Sequence, residues 1–410
     1  MELKTKYQYT YFVHPFVVKE NKYQKYLLKL IKDKNCNLKI FRKEKELRLY
    51  QYFLPKIREF LFSSFRFSKS KIKQLEELPV ETRAAILAKT PCTIFEYSLE
   101  KDIQGKTEKE RGIFFNIRRI EIVCFNTGIC FLCMKTAVES SDNFADLLNF
   151  NYKFRDVNQG FSDLTKYDNI RLQTDTFADV NGFAEFIENL TGDDIQTTKY
   201  NVDSQRLLTY SYACIDQVAW NEEKCFENIN YNFTKFANFL PADNSYKYNH
   251  RKAICLSKMK FAKLGISKQG MVLFASSADI SNYTILPEEF EEEYFYTYIF
   301  NLYKRIYLKK LSVDFKNKNN LNNTRKQFIN FTKTIWIEEI TEDEVGTIIN
   351  NKLNNVYELD SLYSEVKNRY DVLYKELNIE RNNKYNMLMI IMVAALLVVN
   401  LINFFILNKN

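Results

Sequence analysis

The chain has 410 residues and a formal net charge of +8; 15% of its residues are aromatic, whereas there are only nine glycines and six prolines. This composition excludes a flexible, low-complexity protein, and the length allows one large core or two smaller ones. The positive charge favours contact with anionic lipid headgroups. Nucleic-acid binding would need basic residues grouped with aromatic platforms or a known module. Since the sequence has neither, we predict no nucleic-acid partner.

Residues 1–287 predict a mixed α/β (α+β) domain. The strongest local signal is a hairpin over residues 118–135, because Asn126-Thr127-Gly128 separates two apolar runs and its glycine tolerates positive φ. A second hairpin is predicted over 263–276, turning near Gly270. Alternating or apolar periodicity predicts the other elements. These are strands at 5–13, 93–99 and 206–215, and helices at 22–33, 54–65, 80–89, 183–190 and 226–240.

Residues 288–340 predict a helical subdomain, and residues 341–386 predict a stalk helix. The segment 288–311 is acidic early and basic late, which matches the helix dipole, and 324–336 continues as a second helix. The stalk has apolar residues at spacings of three and four. They predict a seam that packs either on the protein's own preceding helices or on copies of itself. The seam residues are Leu359, Leu362, Val366, Tyr370, Leu373 and Leu377.

The start and the course of the stalk are also predicted. Thr341 and Glu344 form a capping box, in which the threonine hydroxyl accepts from the amide three residues on and the glutamate reaches back. No proline follows, so an unbroken helix over 342–407 would be about 99 Å long. A bend is expected at the asparagine-rich stretch 378–386.

Residues 387–407 predict a transmembrane helix. These 21 residues carry no charge, and at 1.5 Å per residue they extend about 31 Å, the thickness of a bilayer's hydrocarbon core. A buried core helix is the alternative, but the length and the lack of a polar face speak against it. Lys375, Arg381 and Lys384 precede the span and only Lys409 follows it. Since positive charge stays on the cytoplasmic side, we expect a tail-anchored, single-pass protein of the cell membrane with a cytoplasmic N-terminal domain.

Two polar residues lie within the predicted span. Asn400 and Asn403 are three positions apart and therefore share one helix face. Polar groups at membrane depth turn toward protein or water, so this face would line a pore, bond across helices or contact the far headgroups. A lone span encloses no pore, and conduction would need several chains in a closed ring. We therefore expect a homo-oligomer.

Three arginines are candidate contacts for a small anionic or nucleotide ligand. Arg118 and Arg119 flank the first hairpin, and Arg155 lies in the segment 151–156. Ordinary surface salt bridges are the alternative interpretation of all three side chains.

Few other residues are candidates for chemistry. Cys130 and Cys133 form a CxxC pair, but in a strand residues three apart point to opposite faces. We interpret His14 as structural and His250 as solvated, and no other histidine is present. The eight cysteines lack a framework spacing, which in a cytosolic domain predicts free thiols. Because motifs for phosphate loops, dinucleotide binding, hydrolases and metalloproteases are absent, we predict no enzyme activity, no metal site and no cofactor.

The C-terminal third resembles the CorA-type metal-ion transporter family in layout. Thr341–Leu377 followed by Met387–Leu407 matches that family's long stalk helix running into its first membrane span. The family's Gly-Met-Asn signature and its second span are missing, so no selectivity residues carry over. The chain is also similar to uncharacterised bacterial membrane proteins with a like hairpin at Phe125–Ile129 and a like segment at Trp336–Thr341.

The resemblance implies a cytosolic sensor domain coupled by a stalk to an oligomeric membrane segment. Such a protein would act as a channel-like or membrane-perturbing effector, and CorA-like proteins with this layout serve antiviral systems that sense a nucleotide signal. The competing hypothesis is a tail-anchored interaction or scaffold protein that conducts nothing.

Overall fold

In the computed structural model, the first strand, β1 (Thr5–Val17), runs through the middle of a large mixed sheet. All nine residues from Tyr9 to Val17 are buried. Burial on both faces favours apolar or aromatic side chains at successive positions, and this segment supplies them except at Thr10, whose hydroxyl is hydrogen-bonded to Asn151 and Ser211. The strand predicted over 5–13 is confirmed and continues to Val17, so that His14 lies inside the core with 4% of its surface exposed.

Ten further strands complete the sheet within the described residues. They are β2 (Cys36–Leu38), β3 (Cys92–Tyr97), β4 (Ile103–Thr107), β5 (Phe114–Phe125), β6 (Ile129–Val138), β7 (Ile170–Gln173), β8 (Leu208–Ile215), β9 (Ala253–Ile254), β10 (Ala262–Ser267) and β11 (Gly270–Ser276). Their order is β2-β3-β5-β6-β1-β8-β11-β10-β9, and β4 pairs with both β5 and β7. The pairs are antiparallel except for β8 with β11, which is parallel.

Both predicted hairpins are present. Strands β5 and β6 turn at Gly128, whose φ of +82° is the left-handed conformation that glycine adopts without strain. A Cβ atom there would lie 2.7 Å from the carbonyl oxygen of Val18, so space as well as conformation requires glycine. Strands β10 and β11 turn between Ser267 and Gly270, which are paired across the hairpin.

Fourteen α-helices lie within the described residues. They are α1 (Tyr23–Lys32), α2 (Leu47–Tyr52), α3 (Pro55–Leu61), α4 (Lys69–Glu77), α5 (Val80–Leu87), α6 (Phe144–Phe154), α7 (Phe183–Thr191), α8 (Phe226–Ala237), α9 (Ser281–Thr284), α10 (Leu286–Glu291), α11 (Glu293–Asp314), α12 (Leu321–Thr334), α13 (Glu344–Tyr357) and α14 (Leu359–Leu407). The mixed α/β architecture expected from the sequence is confirmed.

The two faces of the sheet have separate cores. On one face, α1, α6, α7 and α8 bury their apolar residues in one core that includes Phe12 and Phe16 of β1. On the other face, aromatic rings of the sheet stack on α10 and α11. The ring centroids of Tyr210 and Phe290 are 4.1 Å apart, and those of Phe125 and Tyr303 are 3.8 Å apart. Since aromatic pairs add to ordinary burial, this second face is held by stacking as well as by exclusion of water.

The chain divides into two compact units. One comprises Met1–Tyr307 with Trp336–Leu359, and the other comprises Leu308–Ile335 with Asp360–Asn410. The structure describes residues 3–99, 103–107, 113–139, 141–155, 170–173, 183–200, 202, 206–222, 225–243, 253–254, 259–316 and 321–407. His250 lies outside these residues, and its predicted solvation stays a prediction.

In the second unit, the seam of the stalk packs on the protein's own helices. Tyr370 of α14 lies 5.2 Å from Phe328 of α12 between ring centroids. Arg369 donates to the carbonyl oxygen of Ser312 at 2.9 Å and to Glu365 at 2.7 Å. The seam was predicted to pack either on preceding helices of the same chain or on copies of itself. Around Tyr370 it contacts the preceding helices.

The prediction of an unbroken stalk helix is wrong at one position. The helix is broken at Glu358, which adopts a left-handed conformation with φ of +55° and separates α13 from α14. The carboxylate of Glu358 accepts a hydrogen bond from Lys268 at 2.8 Å, a contact that no local sequence pattern predicts. The asparagine-rich stretch 378–386 lies within one continuous helix, α14, from Leu359 to Leu407, and the bend expected there stays a prediction.

The N-cap of α13 also differs from the predicted capping box. Asp343 is the N-cap, and its carboxylate accepts from the amide of Gly346 at 2.7 Å. Thr341 lies two residues earlier, where its hydroxyl accepts from the amide of Asp343 at 3.1 Å. An ionised carboxylate at a helix N-terminus is stabilised by the helix dipole as well as by the hydrogen bond, so the aspartate is the stronger cap.

Candidate functional site

The C-terminal part of α14 is long enough and apolar enough to cross a membrane. None of its most apolar window is buried. Every large apolar side chain from Met387 to Leu401 is between 52% and 69% exposed. A helix buried in a protein core would show the opposite pattern, so the alternative of a core helix does not describe this segment.

Asn400 and Asn403 both lie on this helix. The side chain of Asn400 is exposed, like those of its apolar neighbours, while the side chain of Asn403 lies outside the described part of the chain. Their spacing of three residues places them on one face of α14. The three interpretations given above (pore lining, interhelical bonding and headgroup contact) stay predictions.

Arg118 and Arg119 are engaged with carboxylates of the same chain. Arg118 donates to Glu139 at 3.0 Å, and both side chains are about two-fifths exposed. Arg119 donates to Glu291 at 3.0 Å and lies 3.6 Å from Glu96. The sequence left open a surface salt bridge or an anionic ligand, and the structure places both arginines in salt bridges.

Glu291 is the centre of a partly buried charge network that joins α10 to the sheet. Besides Arg119, it accepts from Lys135 at 2.6 Å and from the hydroxyl of Tyr11 at 2.9 Å. Burial alone would raise the pKa of the Glu291 carboxyl, but Lys135 and Arg119 outweigh it and hold the pKa below its ordinary value. Glu291 is therefore a structural anchor in its ionised form.

Arg155 is buried, with 7% of its surface exposed. Its guanidinium donates to the side-chain oxygen of Gln269 at 2.7 Å and lies 5.3 Å from the ring centroid of Tyr152. These contacts join α6 to the turn between β10 and β11, whereas Arg118 and Arg119 contact the sheet and α10. The structure thus gives the three predicted arginines separate partners.

The remaining candidates of the sequence lie in the core. Cys130 and Cys133 are both fully buried on β6, and only Cys130 belongs to the core formed with α1 and α6, as expected for residues on opposite faces. Within the described residues, no group of three or more His, Cys, Asp and Glu side chains is arranged to hold a metal ion.

A cleft of about 450 Å³ lies beside the edge strand β2, where sequence analysis predicted no site. Its volume is within the range of about 300–1,000 Å³ typical of small-molecule sites. The walls come from the end of α1, from β2 and β3, and from α4 and α5. The lining residues are Ile31, Asp33, Lys34, Cys36, Asn37, Leu38, Ile40, Leu75, Glu76, Arg83, Leu87 and Phe95.

Arg83 of α5 is the distinctive side chain of this cleft. Its Nε is buried and has no hydrogen-bond partner. No ion pair joins its guanidinium to any residue in the described ranges. Lys34 lines the same cleft with an exposed side chain. Asp33 already accepts from the amide of Asn35 at 3.0 Å. The cleft therefore combines an unsatisfied guanidinium with a second cation.

Cys36 also lines the cleft, but its chemistry there is inert. Burial raises the pKa of the Cys36 thiol to about 12, so the thiolate that nucleophilic attack or metal binding requires is not formed near neutral pH. The arrangement suits reversible binding, and it offers no activated nucleophile.

No local signal in the sequence marks the cleft. Arg83 follows a threonine and precedes two alanines in a short helix, and its partners on the cleft wall come from four other elements. Comparison of the chain with protein-family models, with curated proteins and with solved structures gives no match.

Proposed function

We propose that the chain is a single-pass membrane protein whose large α/β part lies in the cytoplasm, senses a small ligand and acts on an oligomeric membrane segment. The observation that carries the proposal is α14, one helix of 49 residues whose last 21 residues are uncharged. At 1.5 Å per residue this helix is about 74 Å long, more than twice the thickness of the hydrocarbon core. Its first half is amphipathic and its second half is apolar.

The distribution of basic residues supports the cytoplasmic placement. Lys375, Arg381 and Lys384 lie within about a dozen residues before the span, the region in which positive charge determines orientation. The described cysteines are free thiols, as a reducing compartment favours.

The membrane segment acts as a channel-like or membrane-perturbing effector in this proposal. A single span requires several copies to enclose a path, and Asn400 and Asn403 then supply the polar face. The CorA-like layout of stalk and span supports the same arrangement, without that family's selectivity signature. A role in antiviral defence belongs to the proposal as its biological setting.

Electrical recording tests the effector function. Full-length protein purified in detergent is reconstituted into planar bilayers, with and without candidate ligands. The expected result is reproducible conductance that the double variant Asn400→Leu/Asn403→Leu abolishes. Asn386→Leu, just before the span, is the matched control and retains conductance. A monomeric mass in detergent together with silence across ions would overturn the proposal.

A second candidate function is a membrane-anchored interaction or scaffold protein without conduction. It is favoured by one observation: residues 387–407 contain no ionisable side chain, whereas ion pathways commonly carry charged groups. This function predicts that the protein remains in membranes, binds partners through its cytoplasmic part and gives no current in the same recording.

A further inference from the structure

We infer that the cleft beside β2 is a binding site for a small organic anion, a carboxylate or a phosphate attached to an apolar body. The charged group pairs with Arg83 and Lys34, and the apolar body rests on the wall of the cleft. This assignment rests on the proposed sensor function for its biological meaning only. Binding is measured without any conductance, so that the two proposals can fail separately.

The argument for an anion begins with Arg83. A guanidinium is always charged, and its planar fork of N–H groups matches a carboxylate or a phosphate in two parallel hydrogen bonds. A buried donor without a partner is unfavourable, so native proteins pair such groups with protein, water or ligand. Arg83 has a buried Nε without a partner and lines an open cleft. An anionic ligand supplies what this side chain lacks.

The second step is the apolar wall. Phe95 of β3 and Leu87 of α5 line the cleft and are almost fully buried, at 1% and 4% exposure. Ile31 and Leu75 add aliphatic surface at the ends of α1 and α4. Sites for organic ligands combine such walls with a few convergent polar groups. Inorganic phosphate alone would leave most of this surface uncovered.

The two carboxylates in the lining do not oppose this assignment. Asp33 is held by its hydrogen bond from Asn35. The side chain of Glu76 is exposed at the rim, where water and salt screen its charge. The guanidinium of Arg83 is half-buried and is therefore screened less than Glu76, so it dominates the recognition of an anion.

Titration calorimetry on the full-length protein in detergent tests the assignment. The probes are naphthalene-2-carboxylate and adenosine monophosphate, each compared with a neutral counterpart, naphthalene-2-carboxamide and adenosine. At least one anion should bind the wild type more tightly than its neutral counterpart, and which one binds distinguishes a carboxylate from a phosphate ligand. Arg83→Gln should weaken that anion about tenfold or more, as expected for the loss of a charge-assisted hydrogen bond.

Lys25→Gln is the matched control, because it removes one positive charge from an exposed position of α1 outside the cleft. It should bind the anion like the wild type. Asn37→Trp, at an exposed position of β2, should block binding by filling the cleft while the thermal unfolding midpoint confirms folding. The assignment is overturned if neither anion binds the wild type, if the neutral probes bind equally well, or if folded Arg83→Gln and Asn37→Trp both bind like the wild type.

Discussion

The sheet and the end of α14 hold similar apolar side chains in opposite surroundings. In the sheet, Phe125 and Tyr210 are completely buried, and the hydroxyl of Tyr210 donates to a backbone carbonyl of α10. In α14, side chains such as Val393 and Leu397 are more than half exposed. In the sheet, apolar surface leaves water by packing against protein, and in the proposed membrane protein lipid takes that place around α14. The difference teaches that exposure, rather than composition, distinguishes the span from the core.

The largest effect is expected when charge is placed on the exposed helix. The double variant Val393→Arg/Leu397→Arg should leave the membrane fraction on alkaline carbonate extraction, because two arginines at the centre of a span cost about 5–7 kcal/mol. Val372→Arg/Ile379→Arg changes exposed residues of the same helix before the span and should remain in the membrane. Full membrane retention of the first variant would show that lipid does not surround this segment.

A smaller effect is expected when a ring is removed from the sheet. Phe125→Ala should lower the free energy of unfolding by about 3–5 kcal/mol, since it empties a fully buried site stacked on Tyr303. Phe114→Ala, at the other end of β5, removes a ring that is 52% exposed and should change the unfolding free energy by less than about 0.5 kcal/mol. Urea titration of both variants measures the contrast, and equal losses would contradict the described core.

Glu293, the first residue of α11, predicts a dependence of stability on pH. Burial raises the pKa of Glu293 to about 7, although Arg48 opposes the shift. The folded state therefore favours the protonated carboxyl. The contribution of protonated Glu293 to stability is fully present below the ordinary glutamate pKa and is lost as the pH rises through 7.

Glu293→Gln keeps this side chain neutral at every pH. Relative to the wild type, the variant should gain roughly 1–3 kcal/mol of stability between pH 4.5 and pH 8. Urea titration at both pH values measures the gain, and Glu288→Gln, at a mostly exposed glutamate, is the matched control. If the difference in unfolding free energy between Glu293→Gln and the wild type were the same at both pH values, the raised pKa of Glu293 would be refuted.

The smallest effect is expected at Arg118. Its salt bridge with Glu139 is exposed, so Arg118→Ala should lower the unfolding free energy by less than about 1 kcal/mol. The same variant should leave binding of the organic anion to the cleft unchanged. If Arg118→Ala weakened that binding as much as Arg83→Gln, the ligand site would lie at the sequence-predicted arginines instead.

Local patterns were sufficient for the elements that depend on neighbouring residues. The turn at Gly128 follows from a residue that tolerates positive φ between two apolar runs, and the long apolar end of α14 follows from 21 uncharged residues. The strand predicted over 5–13 follows from its alternation. The residues that determine each of these features are close together in the sequence, so a local pattern is enough to predict it.

Features that depend on distant residues were not predictable. The break at Glu358 is accompanied by a contact with Lys268, 90 positions away. The cleft gathers Lys34, Phe95 and Arg83 from separate elements. In both cases the tertiary fold brings distant residues together, and the periodicity of a single segment cannot predict such contacts.

Labelling of an introduced cysteine tests the orientation of α14 most directly. Asn410→Cys and Tyr385→Cys place thiols on either side of the span, and a membrane-impermeant maleimide is added to intact cells and to lysed cells. We predict that Asn410→Cys reacts in intact cells and that Tyr385→Cys reacts above the wild-type level only after lysis; the wild type, with its eight native cysteines, is labelled in parallel as the baseline. Equal reactivity of both positions in intact cells would contradict a helix that crosses the membrane with the α/β part inside.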